Sequence, residues 1–270
     1  MAEDELIYHY TSLSGLVGIV RSDHLWATDI RFLNDTSEAK YTVESITKIM
    51  RAQLLKKPDD NKSLLKNLAW IWERIEWGSR FFVTCFCQKD DLLSQWRGYG
   101  RLGYSIGFDR KVLEQLGMQP PIFSLDAMSY SREKLAEEVL QILASFPDQA
   151  PMGETLDDDH TRHLEAWMSP AFSELMVLIP KYKHWTFEQE REVRALHYYD
   201  SGETLELRES QLGPTPYVTL PWRNEKMSAI RSVTIGPTPH PEEALQGVKD
   251  LLAKHRIDIV PEKSESPFRW

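Results

Sequence analysis

Cysteine is scarce: only Cys85 and Cys87 occur in 270 residues. Two are too few for a disulfide framework, and the plain reading is a reducing compartment. No stretch approaches the roughly 20 consecutive apolar residues that a membrane-spanning helix needs. The opening Met1-Ala2-Glu3-Asp4-Glu5 is acidic where a secretory signal would be basic and then apolar. A cytoplasmic chain with no membrane partner is therefore expected. Positive charge is also short: a net charge of −9 argues against a protein whose main business is coating nucleic-acid phosphates. No His-Glu-x-x-His or cysteine-nucleophile signature is present, which sets aside hydrolases of those designs. Cys85 and Cys87 lack further ligands at zinc spacing. His160 and His163, after Asp157-Asp158-Asp159, read as a solvated helix start, so no metal site is expected. Internal repeats, low-complexity tracts and long linkers are missing too, and one domain over residues 1–270 is predicted.

What is present is enough apolar sequence, 41%, for a sizeable core. Leu6 to Thr11 reads as a strand, with Ser12 capping a helix traced by Leu13, Leu16, Val17, Ile19 and Val20. Helical patterning runs from about Thr36 to Trp77, broken at Pro58. Strands follow at 80–87 and at Tyr104 to Phe108, the latter ending at Asp109, which is placed to cap a helix. Another strand is read near 122–130, then helices up to Phe146 and over 161–179. From Glu190 onward the pattern turns to strands at 190–198, 204–208, 216–221 and 230–235. A helix from Pro241 to Lys254 and a strand over Ile257 to Val260 close the chain. Helices in the middle with strands at both ends describe an α+β fold with a mixed or antiparallel sheet and inserted helices.

Three segments carry chemistry. His9 ends a strand, where neutral imidazole both donates and accepts and can hold sugar hydroxyls or an amide; a half-buried histidine satisfied by backbone is the plainer alternative. In Glu190-Arg191-Glu192-Val193-Arg194, an extended backbone would place Glu190, Glu192 and Arg194 on one face. Such a row must face solvent, form an ion-pair network or line a polar cleft. Ser94 to Gly100, followed by Gly103, offers Trp96 and Tyr99 as stacking faces beside flexible glycines, or a tight connection packed under aromatics. Trp26, Trp96, Trp185 and Trp222 stand in polar surroundings, where indoles often line clefts although packing is their commoner fate.

Together these segments resemble the bacterial family called domain of unknown function 2971. The resemblance rests on Tyr8 to Thr11, Gly15-Leu16-Val17-Gly18-Ile19, the aromatic Trp26 and Leu33-Asn34-Asp35-Thr36-Ser37-Glu38. It continues through the strand at 83–87, Leu93-x-x-Trp96-x-x-Tyr99-Gly100, Glu190-x-Glu192-x-Arg194, Ile235-Gly236-Pro237, and Ser264 with Pro267, Phe268 and Arg269. The His-Tyr-Thr strand and the late glutamate strand are in turn similar to those of ADP-ribosyltransferases, including DNA-modifying toxins. That resemblance implies an ADP-ribosyltransferase-like fold and NAD as substrate. His9 and Thr11 would hold NAD, with Trp96, Tyr99 or Tyr104 stacking beside the nicotinamide and Arg194 nearby. His9 would also belong to the catalytic set with Glu192, or Glu190, whose carboxylate would act beside the oxocarbenium-like ribose. The expected function is NAD-dependent ADP-ribosyl transfer or NAD hydrolysis, of defence or toxin type, with a protein or nucleic-acid acceptor. Two rivals remain: a non-catalytic ligand- or nucleotide-sensing module, and a metal-dependent nucleic-acid-processing protein. The cheapest discriminator is whether His9 and Glu192 converge on one pocket.

Overall fold

The computed structural model of the chain describes residues 5–33, 37–56, 69, 72, 81–98, 103–145, 170–199, 203–210 and 212–266. The break expected at Pro58, the pair His160 and His163, Tyr99, and the tail residues Pro267, Phe268 and Arg269 lie outside the described residues. The chain divides into two compact units, the first made of residues 1–32, 81–128 and 188–270 and the second of 33–80 and 129–187.

Among the described residues, the first unit is built on a ten-stranded sheet. Its strands are β1 (Leu6–Thr11), β2 (His24–Asp29), β3 (Phe81–Cys87), β4 (Tyr104–Asp109), β5 (Ser124–Ala127), β6 (Glu192–Tyr198), β7 (Glu206–Ser210), β8 (Gly213–Pro221), β9 (Ile230–Ile235) and β10 (Glu262–Lys263). They run in the order β10-β9-β4-β1-β3-β2-β8-β7, with β6 paired to β3 and β5 to β6. All pairs are antiparallel except β10 with β9. The α+β class and the mixed, mostly antiparallel sheet are as predicted.

The sheet forks at β3. One edge of β3 pairs along its whole length with β6. The other edge meets β2 at Phe82 and Val83 but β1 at Cys87. Where β1 and β2 part, ladder partners are replaced by side chains: His9 Nδ1 bonds the Cys85 carbonyl at 2.8 Å, and Thr84 Oγ1 donates to the Trp26 carbonyl at 3.0 Å.

Helices α1 (Leu13–Ser22), α3 (Leu93–Gly98), α4 (Arg110–Gly117) and α7 (Pro241–Lys254) belong to this unit. Ser12 caps α1 through its hydroxyl, which accepts from Gly15 N at 3.2 Å; Asp109 caps α4, accepting from Val112 N at 3.1 Å. Leu16, Ile19 and Val20 of α1, Leu113 and Leu116 of α4, and Val248 and Leu252 of α7 join Ile7, Phe82, Phe86, Ile106, Phe108 and Val193 in one core. Each such side chain contributes about 1.5–3 kcal/mol on burial. This is the apolar face of the sheet.

The second unit holds α2 (Ser37–Lys56), α5 (Arg132–Ser145) and α6 (Pro170–Leu178). Ile46, Met50, Trp72, Leu135, Val139 and Leu175 are buried in it. Trp72 meets Phe172 edge-on at 5.8 Å and donates its indole N–H to the Val43 carbonyl at 3.1 Å. Among the described residues, no helix is long and apolar enough to cross a membrane.

Three expectations are corrected. The strand His24–Asp29 was not predicted, because its Leu-Trp-Ala-Thr-Asp run lacks a clean two-residue alternation. Residues 257–260 form no strand; the last pairing is Glu262–Lys263. The late strand begins at Glu192 rather than 190, because Glu190 closes a 3-10 turn (Trp185–Glu190) and Arg191 has a left-handed φ of 45°.

Candidate functional site

Pairing register sorts the candidates, because residues directly opposite in a sheet share a face. Glu192 stands across from Cys87 and Cys87 from Tyr8, while Arg194 stands across from Cys85 on one side and Asp126 on the other. Tyr8 and Tyr10 then lie opposite Gly107 and Ser105, and these opposite Ser232 and Thr234. All occupy the second, polar face of the sheet. His9 lies opposite Ile106, Thr11 opposite Tyr104, and Val193 opposite Phe86, so these residues belong to the apolar face. The expected convergence of His9 with Glu192 on one face is therefore not found. The physical reason is the two-residue period: a step from Tyr8 to His9 crosses the sheet.

The centre of the polar face is a buried ion pair. Arg194 Nε donates to Glu192 Oε1 at 2.6 Å and Nη2 to Oε2 at 3.2 Å, with the two residues 1% and 5% exposed. A bidentate fork of this kind holds the carboxylate in a fixed orientation. Its neighbours are titratable. Burial raises the Cys87 thiol, and the nearby Glu190 carboxylate adds to that rise. Glu190 thus contributes charge near Cys87 from the turn before the strand, and not as part of an extended row. Tyr8 is raised by burial and by the charge of Asp90. Metal clusters of three or more His, Cys, Asp or Glu are absent among the described residues.

The loop after β3 is pinned onto this face. Tyr10 OH donates to the Lys89 carbonyl at 3.0 Å and accepts from Leu92 N at 2.9 Å. Asp90 accepts from the Ser105 and Thr234 hydroxyls at 2.8 and 2.9 Å. Asp91 accepts the Trp96 indole N–H at 2.7 Å, the backbone N–H of Glu265 at 2.8 Å, and the Ser264 hydroxyl. Trp96 is fully buried, meeting Tyr10 edge-on at 4.8 Å. A Cβ at Gly236 would come within 2.8 Å of its ring, so the indole packs against bare backbone. The ring is fully buried and its N–H bonded, so of the two readings the packed connection is the one found, and Trp96 offers no open stacking face.

His9, Thr11 and Tyr104 also have structural employment. A carbonyl only accepts, so the 2.8 Å contact to Cys85 assigns the proton to His9 Nδ1. The ring meets Phe86 edge-on at 5.9 Å, and low-dielectric surroundings lower its pKa against the opposing pull of that carbonyl. Thr11 packs beneath Gly15 of α1, where a Cβ would fall on its hydroxyl. Tyr104 is a core member, and burial raises its phenol.

Sequence reasoning named Glu192 and Arg194 but missed Tyr8, Cys87 and Asp126 as their companions. The signal that joins them is strand register, which no local pattern carries. Of the four tryptophans singled out, Trp96 and Trp222 are fully buried, while Trp26 and Trp185 are 39% and 58% exposed.

Residues 95–195 match the model of a family described as "Protein of unknown function (DUF2971)". That segment includes Trp96, Tyr104, Glu192 and Arg194, and it supports the family resemblance. No curated protein and no solved structure matches the chain.

Proposed function

We propose that this chain, whose middle segment matches a family of unknown function, is a nucleotide-binding module whose ligand, NAD or a close relative, lies on the polar face of the sheet in the first unit. The observation that carries this reading is the buried, bidentate Glu192–Arg194 pair. Two charges are withdrawn from water at a cost that an apolar pair of similar size would avoid, so their retention points to a use beyond stability. On the same face stand Tyr8, the two thiols and Asp126, a set of donors and acceptors suited to ribose hydroxyls and amides.

A second reading, ADP-ribosyl transfer, is favoured by one specific feature: the Glu192 carboxylate is held rigid at a strand start, where it can support a developing oxocarbenium centre. This version does without His9. Against it stands the Arg194 guanidinium, which already neutralises the carboxylate, and for that reason binding takes precedence over turnover.

Calorimetry with NAD on the intact chain, followed by assay of nicotinamide release, separates the two. Binding without release supports the sensing module. Release that disappears in Glu192→Gln supports transfer or hydrolysis. Absence of NAD binding to the intact chain removes both readings.

A further inference from the structure

On the β2-β8-β7 side of the same sheet, a cation stands without an anion among the described residues. Arg208 of β7 donates from Nη2 to Thr28 Oγ1 at 2.9 Å, and its guanidinium lies 5.8 Å from the Trp26 ring centroid. Its Nε is buried and has no hydrogen-bond partner among the described residues. Among the described residues no carboxylate pairs with it; Glu206, two residues away on the same face of the strand, takes the Tyr217 hydroxyl instead. A guanidinium donor removed from water and left without an acceptor is costly, and natural structures seldom retain one without a use.

The aromatic neighbour points to what that use is. Trp26 remains 39% exposed although its ring is braced by Tyr217 at 5.2 Å and meets the Arg208 guanidinium. Register places Thr28 opposite both Val83 and Tyr217, and Val83 opposite Leu196. Trp26 and Thr28 are thus on the same face as Arg194, which lies two residues from Leu196 along β6. Arg208 joins them through Thr28. An exposed indole beside an unsatisfied cationic donor suits a planar ring that carries an anion.

We propose that Trp26 and Arg208 form a nucleoside-phosphate subsite, with the base stacked on the Trp26 indole and a phosphate oxygen accepting from the Arg208 guanidinium. This inference rests on the reading of the polar face as a nucleotide site and names its base-and-phosphate end. Both residues leave the Glu192–Arg194 pair untouched, so the two ideas can fail separately.

The test is calorimetry of the full chain with AMP, adenosine and inorganic phosphate, beside NAD. AMP is expected to bind more tightly than either fragment, with affinity falling as salt is raised. Arg208→Gln and Trp26→Leu should each weaken AMP on the order of tenfold. Trp26→Phe, which keeps a ring, should retain binding but lose the AMP-induced quenching of indole fluorescence. Arg208 sits on an edge strand, and thermal melting of the variants checks that they fold. AMP affinity unchanged in both Arg208→Gln and Trp26→Leu overturns the subsite. NAD binding that is lost in Glu192→Gln yet unaltered in those two variants overturns the subsite and leaves the polar-face reading standing. Failure of both AMP and NAD to bind the intact chain overturns both.

Discussion

The two faces of the forked sheet are made by the same strands and hold their shape by different physics. The apolar face closes around Ile7, Phe86, Ile106, Phe108 and Val193 under α1, α4 and α7, where stabilisation follows buried area and tolerates small shifts. The polar face depends on partners such as Arg194 for Glu192, where removing one atom group strands another. Damage should therefore be larger on the polar face when a partner is deleted there. The largest expected effect is Arg194→Met, which leaves the Glu192 carboxylate buried without its guanidinium and should cost about 3–5 kcal/mol. The shift of the urea midpoint at neutral pH measures it. Adding Glu192→Met should restore most of that loss, because an apolar pair carries no desolvation cost. A double variant no more stable than the single one would show that the buried charge is not the cause.

Neighbouring residues of β4 sharpen the comparison, since Ile106 and Gly107 point to opposite faces. Ile106 is fully buried in the apolar core, and Ile106→Ala should lose about 3 kcal/mol through transfer and cavity terms. At Gly107 a Cβ would come within 2.2 Å of Ser232 Oγ and 3.1 Å of the Tyr8 ring. The serine can rotate and the tyrosine must give by a few tenths of an ångström, so Gly107→Ala should cost about 1 kcal/mol by overpacking. Ligand binding separates the two variants further. Gly107→Ala displaces a polar-face ring and should weaken NAD binding more than its stability loss suggests, whereas Ile106→Ala should leave the affinity of the folded fraction unchanged. Equal affinities in the two variants would count against the polar face as the ligand site.

Much of the fold was legible along the chain because it is written in local chemistry. Ser12 and Asp109 cap the helices they were expected to cap, and the Pro241–Lys254 helix has its predicted bounds. The candidate site was legible only in part. Glu192 and Arg194 were correctly put on one face, but the left-handed Arg191 removes Glu190 from the row, and nothing in the residue types of a charged run announces such a turn. His9 was chosen for its chemistry at a strand end, yet its face depends on which strand pairs with which, a long-range property invisible in a six-residue window. The fork is equally nonlocal: Cys85 receives a side-chain donor because β1 and β2 part there, a consequence of tertiary arrangement. Trp96 misled for a related reason, since the bare backbone of Gly236 that covers it lies far along the sequence.

The smallest effect at neutral pH belongs to His9 and tests whether the fork or the ligand is its employer. Its pKa in the folded chain lies below the ordinary 6.5, through burial first and against the opposing Cys85 hydrogen bond. As pH falls through 6.5, the unfolded chain takes up a proton that the folded chain resists, so the unfolded state binds more protons and stability declines. Above that value both states are neutral and the contribution vanishes. The slope from one such group cannot exceed about 1.4 kcal/mol per pH unit. His9→Gln keeps an N–H donor for the Cys85 carbonyl and cannot ionise. Its stability relative to the parent chain should be constant from pH 8 to 7 and then improve as pH falls toward 5.5, by about 1 kcal/mol in denaturant titrations. NAD affinity at neutral pH should be the same in both chains, since the ring serves the apolar face. A flat stability difference across that window would mean that the imidazole ionises freely and is not held neutral at the fork; a loss of NAD affinity in His9→Gln would return it to the ligand site from which strand register removes it.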